Sequence, residues 1–184
     1  VLTSADGINW STQITGLANR QLHKAIWGNN EYIAVGDGES IITSPDGIAW
    51  TIVQNKVSAS VIYDIAWDGE KYVAVGNDPS NPIITSPDGV NWTPVSGAAG
   101  FDLRSIVWSG AQFVTGGMSG ALFTSNDGNT WTQQIFGGES IFDVIWSDNR
   151  FTAVGNPNMG KISFDGITWL ESPPEGSANI YSIA

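Results

Sequence analysis

One phrase occurs five times along the chain, and its spacing limits the fold more than any other feature. It reads Ser4-Ala-Asp-Gly-Ile-Asn-Trp10, Ser44-Pro-Asp-Gly-Ile-Ala-Trp50, Ser86-Pro-Asp-Gly-Val-Asn-Trp92, Ser125-Asn-Asp-Gly-Asn-Thr-Trp131 and Ser163-Phe-Asp-Gly-Ile-Thr-Trp169. Its tryptophans are 40, 42, 39 and 38 residues apart. A second phrase falls between the copies: Ile26-Trp27-Gly-Asn-Asn-Glu-Tyr32-Ile-Ala-Val-Gly36, then Ala66-Trp67-Asp-Gly-Glu-Lys-Tyr72-Val-Ala-Val-Gly76, and again over 107–116 and 145–155. Together the two phrases account for all nine tryptophans. A period near 40 residues belongs to stacked or ring-forming repeat units, not to a single unrepeated core.

Each period predicts four short strands. Strand A ends at the first Trp, as in Ile62-Tyr-Asp-Ile-Ala-Trp67, and a turn such as Asn29-Asn30 or Asp68-Gly69 leads into strand B, as in Tyr72-Val-Ala-Val75. Such turn residues between β-rich runs signal hairpins. Strand C is Ile41-Ile-Thr43 or its equivalent, and strand D begins near the second Trp. Strand A is apolar on both faces, as expected of a sheet covered on both sides. Four strands in about 40 residues, with both faces packed, predict an all-β fold: a β-propeller of four-stranded blades.

The chain reads as one domain over 1–184, with repeats at about 1–19 (partial), 20–57, 58–99, 100–138, 139–176 and 177–184 (partial). Strands A, C and D occur five times and strand B four times, the last strand A being Ile180-Tyr-Ser-Ile-Ala184. Five blades are expected, the fifth a composite of the two termini that lacks a strand B. The alternatives are a fragment of a longer array, or an oligomer in which another chain supplies a strand at the unpaired edge.

The repeated phrase has a mechanical reading. Asp6, Asp46, Asp88, Asp127 and Asp165 accept backbone N–H bonds within their own turns. Glycine supplies a conformation that other residues resist. Trp10, Trp50, Trp92, Trp131 and Trp169 then leave the turn as apolar wedges between sheets, each removing on the order of 150–250 Å² from water.

On these residues the chain resembles the Asp-box (BNR) repeat proteins, a group that includes sialidases and sortilin-type receptors. The resemblance covers essentially the whole chain, in a shorter variant with one residue fewer between Asp and Gly. It implies that the Asp turn is a folding element at the blade periphery, away from the ligand face. It also implies a secreted or cell-surface bacterial protein. A sialidase would need three arginines converging on a carboxylate. The three present are Arg20 before a strand A, Arg104 within one and Arg150 at the start of a strand B. The last lies at the opposite end of its blade, so no enzyme is expected, and a glycosidase-like enzyme is the alternative.

Composition narrows the partners. Seven Lys and Arg against 18 Asp and Glu give a net charge of -11, a field that repels nucleic acid and anionic membranes. No apolar run approaches the roughly 20 residues of a membrane helix. Cysteine is absent and His23 is the single histidine, so neither a metal site nor a cofactor is expected.

What varies on the constant frame is the start of strand A. Its second position reads His23, Tyr63, Arg104, Phe142 and Tyr181; its third reads Lys24, Asp64, Ser105, Asp143 and Ser182. Strand A is expected innermost, so these groups ring one mouth. His23, Tyr63, Arg104, Phe142, Tyr181, Asp64 and Asp143 are the candidate ligand-binding residues. Mixed aromatic, cationic and hydroxyl groups suit a glycan or another small polar ligand. The alternative is a protein-interaction or scaffold propeller that uses the D–A loops at 54–60 and 173–178. A third reading makes the aromatics a plug of the axis.

Overall fold

The computed structural model describes residues 1–17, 20–38, 40–53, 60–157, 159–171 and 180–183. Within these, the chain is a β-propeller of five antiparallel sheets, one for each copy of the Asp-Gly turn. Four of them have four strands in A–B–C–D order. Blade 1 is β3 (Leu22–Gly28), β4 (Glu31–Gly36), β5 (Ile41–Ser44) and β6 (Thr51–Ile52). Blade 2 is β7 (Ile62–Trp67), β8 (Tyr72–Gly76), β9 (Ile83–Ser86) and β10 (Thr93–Val95). Blade 3 is β11 (Leu103–Trp108), β12 (Phe113–Gly117), β13 (Leu122–Ser125) and β14 (Thr132–Gln133). Blade 4 is β15 (Ser140–Ser147), β16 (Arg150–Asn156), β17 (Met159–Ser163) and β18 (Leu170–Glu171). Strands A of successive blades (β3, β7, β11, β15) pack side by side, which makes them the inner strands.

The fifth sheet is a hairpin of only β1 (Leu2–Thr3) and β2 (Ser11–Thr12). Residues 180–183 stand where strand A of the composite blade is expected: Ser182 and Ile183 donate to Asp143 just as Ser105 and Ile106 donate to Asp64, although they form no regular strand. The glycine-rich stretch 116–120 holds a single 3₁₀ turn at Met118–Gly120, kinked where Ser119 takes a positive φ of 56°.

The Asp-Gly turn is built alike in all five copies. In blade 3, Asp127 Oδ1 accepts the backbone N–H groups of Asn129 (2.8 Å) and Thr130 (2.7 Å) and the Ser125 hydroxyl (3.0 Å). Gly128 sits at φ 70°, a region that favours glycine. The Trp131 indole N–H then folds back onto the Gly128 carbonyl at 3.0 Å. The wedge is buried in Trp92 and Trp131, whereas Trp10 of the N-terminal hairpin stays 59% exposed.

Blades are joined beyond simple packing. Tyr72, Phe113 and Phe151 are fully buried, and the Tyr72 hydroxyl donates to the Gly28 carbonyl of the preceding blade at 2.6 Å. Lys71 Nζ and Gln112 Nε2 each reach the next blade's turn, donating to the carbonyls of Asp127 and Asp165 at 2.7 Å. In blade 4, Lys161 takes the place of the buried Ile42, Ile84 and Phe123 of the other blades. It is held by Glu139, Glu171 and the Phe136 carbonyl.

The turn carboxylates carry a pH dependence. The backbone N–H groups of Thr130 and Asn129 hold Asp127 down to about 2, from 3.8. The Asp6, Asp46, Asp88 and Asp165 carboxyls are lowered by the same cause. A depressed folded pKa means that the ionised form favours the fold. That contribution is complete above about pH 4 and is lost as pH falls towards about 2. Asp127→Asn keeps the acceptor and removes the charge. Its denaturation midpoint is therefore expected to fall less steeply than the parent's between about pH 4 and 2, as read by acid titration of near-ultraviolet circular dichroism.

Candidate functional site

A backbone irregularity recurs at the start of every strand A. In blade 1, Leu22 pairs with Gly36 and Lys24 with Val35, so His23 is an extra residue in the ladder. The same shift leaves Tyr63, Arg104 and Phe142 as the bulged residues of blades 2, 3 and 4. A bulge bends its strand and re-aims one side chain.

Its cause is legible in the closing glycine of strand B. At Gly36, Gly76, Gly117 and Gly155, a Cβ would collide with the carbonyl oxygens of Gln21, Val61, Asp102 and Ser140. In the first three blades that carbonyl accepts the N–H of the residue after the glycine: Asp37 (2.9 Å), Asn77 (3.2 Å) and Met118 (2.8 Å). The bulge therefore needs a residue without a side chain opposite it.

The bulged side chains form two groups. His23 and Tyr63 have ring centroids 5.6 Å apart, and the Arg104 guanidinium carbon lies 4.0 Å from the Tyr63 ring centroid. Each is braced by a neighbouring loop: His23 Nε2 by Asp37 Oδ1 at 2.8 Å, the Tyr63 hydroxyl by Asn77 Nδ2 at 3.2 Å, and Arg104 Nη2 by Asp102 Oδ2 at 2.7 Å. The His23 bond lowers the Asp37 carboxyl, and burial raises the Tyr63 phenol. The second group is Phe142 and Tyr181, stacked with centroids 5.2 Å apart and planes within 2°. Tyr181 is 70% exposed.

The third positions face the neighbouring blades. Asp64 is 5% exposed; its Oδ2 accepts the Ser105 hydroxyl (3.1 Å) and the Ile106 N–H (2.9 Å), and Lys24 Nζ stands 3.6 Å from its Oδ1. Ser105 Oγ also lies 2.9 Å from Asp143 Oδ1 and accepts the Val144 N–H at 3.2 Å. Asp143 Oδ2 takes the Ser182 hydroxyl (2.9 Å) and the Ile183 N–H (3.0 Å).

A hydroxyl has one proton, yet Ser105 faces two carboxylates. Burial raises the Asp64 pKa. Where Asp64 carries its proton, it can donate to Ser105 Oγ while Ser105 donates to Asp143; where it is ionised, the single Ser105 proton serves one carboxylate at a time.

The seven candidate residues lie at the starts of neighbouring strands A, five in the two side-chain groups and two, Asp64 and Asp143, bonding across blades. The sequence did not point to Asp37, Asn77 and Asp102, which brace the bulged groups. Two of these immediately follow the glycine that closes strand B, a signal the repeat offered. The three arginines do not gather. Arg20 donates to the Gly38 carbonyl, Arg104 pairs with Asp102, and Arg150 begins strand B of blade 4. Among the described residues no group of three or more acidic, His or Cys side chains is placed to hold a metal, and no helix is long and apolar enough to cross a membrane. Residues 54–59 and 173–178 of the expected contact loops lie outside the described residues.

Two hollows recur at equivalent places on the C–D hairpins. One, of about 470 Å³, is lined by Thr3, Ser4, Asp6 and Gln13; the other, of about 380 Å³, by Thr124, Ser125 and Asp127. Beside each, a glutamine amide donates to a threonine hydroxyl at 2.8 Å, Gln13 to Thr3 and Gln134 to Thr124.

The proton count at the seam is testable. A raised folded pKa means that the contribution of Asp64 is present below about pH 4 and is lost as pH rises through the folded value. Asp64→Asn supplies the same donor and acceptor without titrating. Its stability relative to the parent is expected to improve as pH rises to 7. Asp64→Ala, which strands the Ile106 N–H, is expected to be about 1–3 kcal/mol less stable than the parent. Urea denaturation of both variants at pH 4 and 7 decides between this and a simple ion pair with Lys24, for which Asp64→Asn would lose stability at pH 7.

No family model matches the chain, and no curated protein does. Solved structures do. YCF48 from Cyanidioschyzon merolae is 19% identical with a TM-score of 0.66, covering 94% of this chain and 66% of its own. A structure of YCF48 bound to D1 peptide is 18% identical with a TM-score of 0.69, over 98% and 63%. The extracellular domain of BT4673 from B. thetaiotaomicron is 13% identical with a TM-score of 0.69, over 92% and 24%. The chain spans about two thirds or less of the length of each. Together with the five sheets, these likenesses establish the fold as that of a β-propeller.

Proposed function

We propose that this chain is a non-catalytic binding module that receives a segment of a protein partner at the mouth formed by the bulges. The observation that carries the reading is the row of unlike side chains, His23, Tyr63, Arg104, Phe142 and Tyr181, at one position of an otherwise constant repeat. Four of them are turned out of the sheet ladder by the bulge, so their identity is not dictated by strand pairing.

The neighbours lend support. One similar structure holds a peptide, and another lies in the mitotic checkpoint complex, an assembly of proteins. The Asp-Gly turns, with their repeated carboxylate-to-backbone bonds, support placing the chain with the short form of the Asp-box repeat. An extracellular setting has the BT4673 domain in its favour. The scattered arginines favour binding over sialidase-like chemistry.

A glycan reading has two observations of its own. Hydroxyl-lined hollows recur on two of the C–D hairpins, and the stacked Phe142–Tyr181 pair offers a flat apolar face of the kind that sugars use.

Labelled protein applied to an array of random dodecapeptides and to a glycan array separates these. The control is the double variant Tyr63→Ala, Arg104→Ala. Peptide signals that weaken about tenfold or more in the variant, a loss of about 1.4 kcal/mol, support the protein reading. Selective glycan signals lost in the variant replace it with the sugar reading. Silence on both arrays makes the row of side chains a plug and overturns the proposal.

A further inference from the structure

Tyr63 and Tyr181 hold the same position of the repeat, but only one is capped. Tyr63 carries the Arg104 guanidinium over its ring at 4.0 Å. Tyr181 rests one face on Phe142 and is 70% exposed. It is nevertheless fixed in place, because the residues that follow it, Ser182 and Ile183, both donate to Asp143. A tyrosine held rigid and left open loses little entropy when a ligand covers it.

We propose that Tyr181 is the anchor of the mouth, and that the segment it binds presents an arginine, whose guanidinium stacks on Tyr181 as Arg104 does on Tyr63. The inference rests on the protein-segment reading above and names the side chain recognised. Three features of the molecule select that chemistry. The first is the internal precedent, a guanidinium 4.0 Å over the equivalent ring. The second is the π-face itself, which attracts cations and repels carboxylates; a planar guanidinium matches it better than an ammonium. The third is the net charge of -11, which steers basic segments towards the chain and acidic ones away. Asp143, next to the anchor, is the nearby carboxylate; both of its oxygens already accept hydrogen bonds within the fold. Ligand selectivity therefore comes from the ring face rather than from a salt bridge.

The test uses the strongest dodecapeptide binders from the array, each synthesised with arginine and with citrulline, which keeps the shape and removes the charge. Affinity is measured by fluorescence polarisation against the parent chain, Tyr181→Ala and a control, Ile167→Ser, on an exposed Asp-Gly turn. The expected result is a threefold to tenfold loss for citrulline with the parent, about the size of a partly exposed cation–π contact. Tyr181→Ala is expected to bind both peptides equally weakly, and Ile167→Ser to behave as the parent. Peptides that bind at the mouth with no arginine dependence, or with a dependence that survives Tyr181→Ala, overturn this inference and leave the protein-segment reading standing. An array with no mouth-dependent peptide signal overturns both.

Discussion

The carbonyl oxygens of Gln21, Val61, Asp102 and Ser140 occupy the space where a side chain on the facing strand-B glycine would begin. Everything at the mouth follows from that close approach. It lets strand A carry one residue more than strand B, and the extra residue leaves the ladder. The next residue is turned sideways towards the neighbouring blade. Second positions then become a row of side chains around the mouth, and third positions become a seam between sheets. A methyl group at any of these glycines would push the two backbones apart and disturb both.

The seam is a chain of unlike links. Asp64 and Asp143 accept across their blade boundaries, and Ser105 both donates and accepts between them. Lys24 breaks the pattern: as a donor it cannot accept the N–H of the next blade, and Ile65 N–H turns instead to the oxygen of its own neighbour, Asp64, at 2.8 Å. A carboxylate as buried as Asp64 is tolerated because each of its oxygens meets a donor or a cation. The cost of burying the charge then appears as a raised pKa instead of as an empty or disordered joint.

Much of this was legible in the residues. The Trp spacing and the Asp-Gly phrase specify the sheets, the turn and its hydrogen bonds, because both are local patterns repeated often enough to exclude coincidence. The alignment of copies also brought His23, Tyr63, Arg104, Phe142 and Tyr181 together. The bulge was not read, although Gly36, Gly76 and Gly155 each close an Ala-Val-Gly run. A strand-end glycine looks the same whether it starts a turn or accommodates a carbonyl, and only the paired backbone distinguishes the two. The use of Asp64 and Asp143 between blades was hidden for a similar reason, since a third-position acid points to solvent or to a neighbour according to that same extra residue. Residues 180–183 take the strand-A bonds to Asp143 without forming a regular strand, because each strand B among the described residues already pairs with the strand A of blades 1 to 4.

The division of labour between adjacent positions bears on how such a site changes. Third-position side chains bond across blades, so replacing one alters the contact between two sheets. Second-position side chains are braced from within their own repeats: His23 by Asp37, Tyr63 by Asn77 and Arg104 by Asp102. A change at a second position therefore disturbs its local brace and its ring contacts with the neighbouring second positions, and leaves the frame bonds intact. Five copies of one frame can in this way carry four different residue types at the second position of strand A, with the fold held by glycine, the Asp turn and the seam.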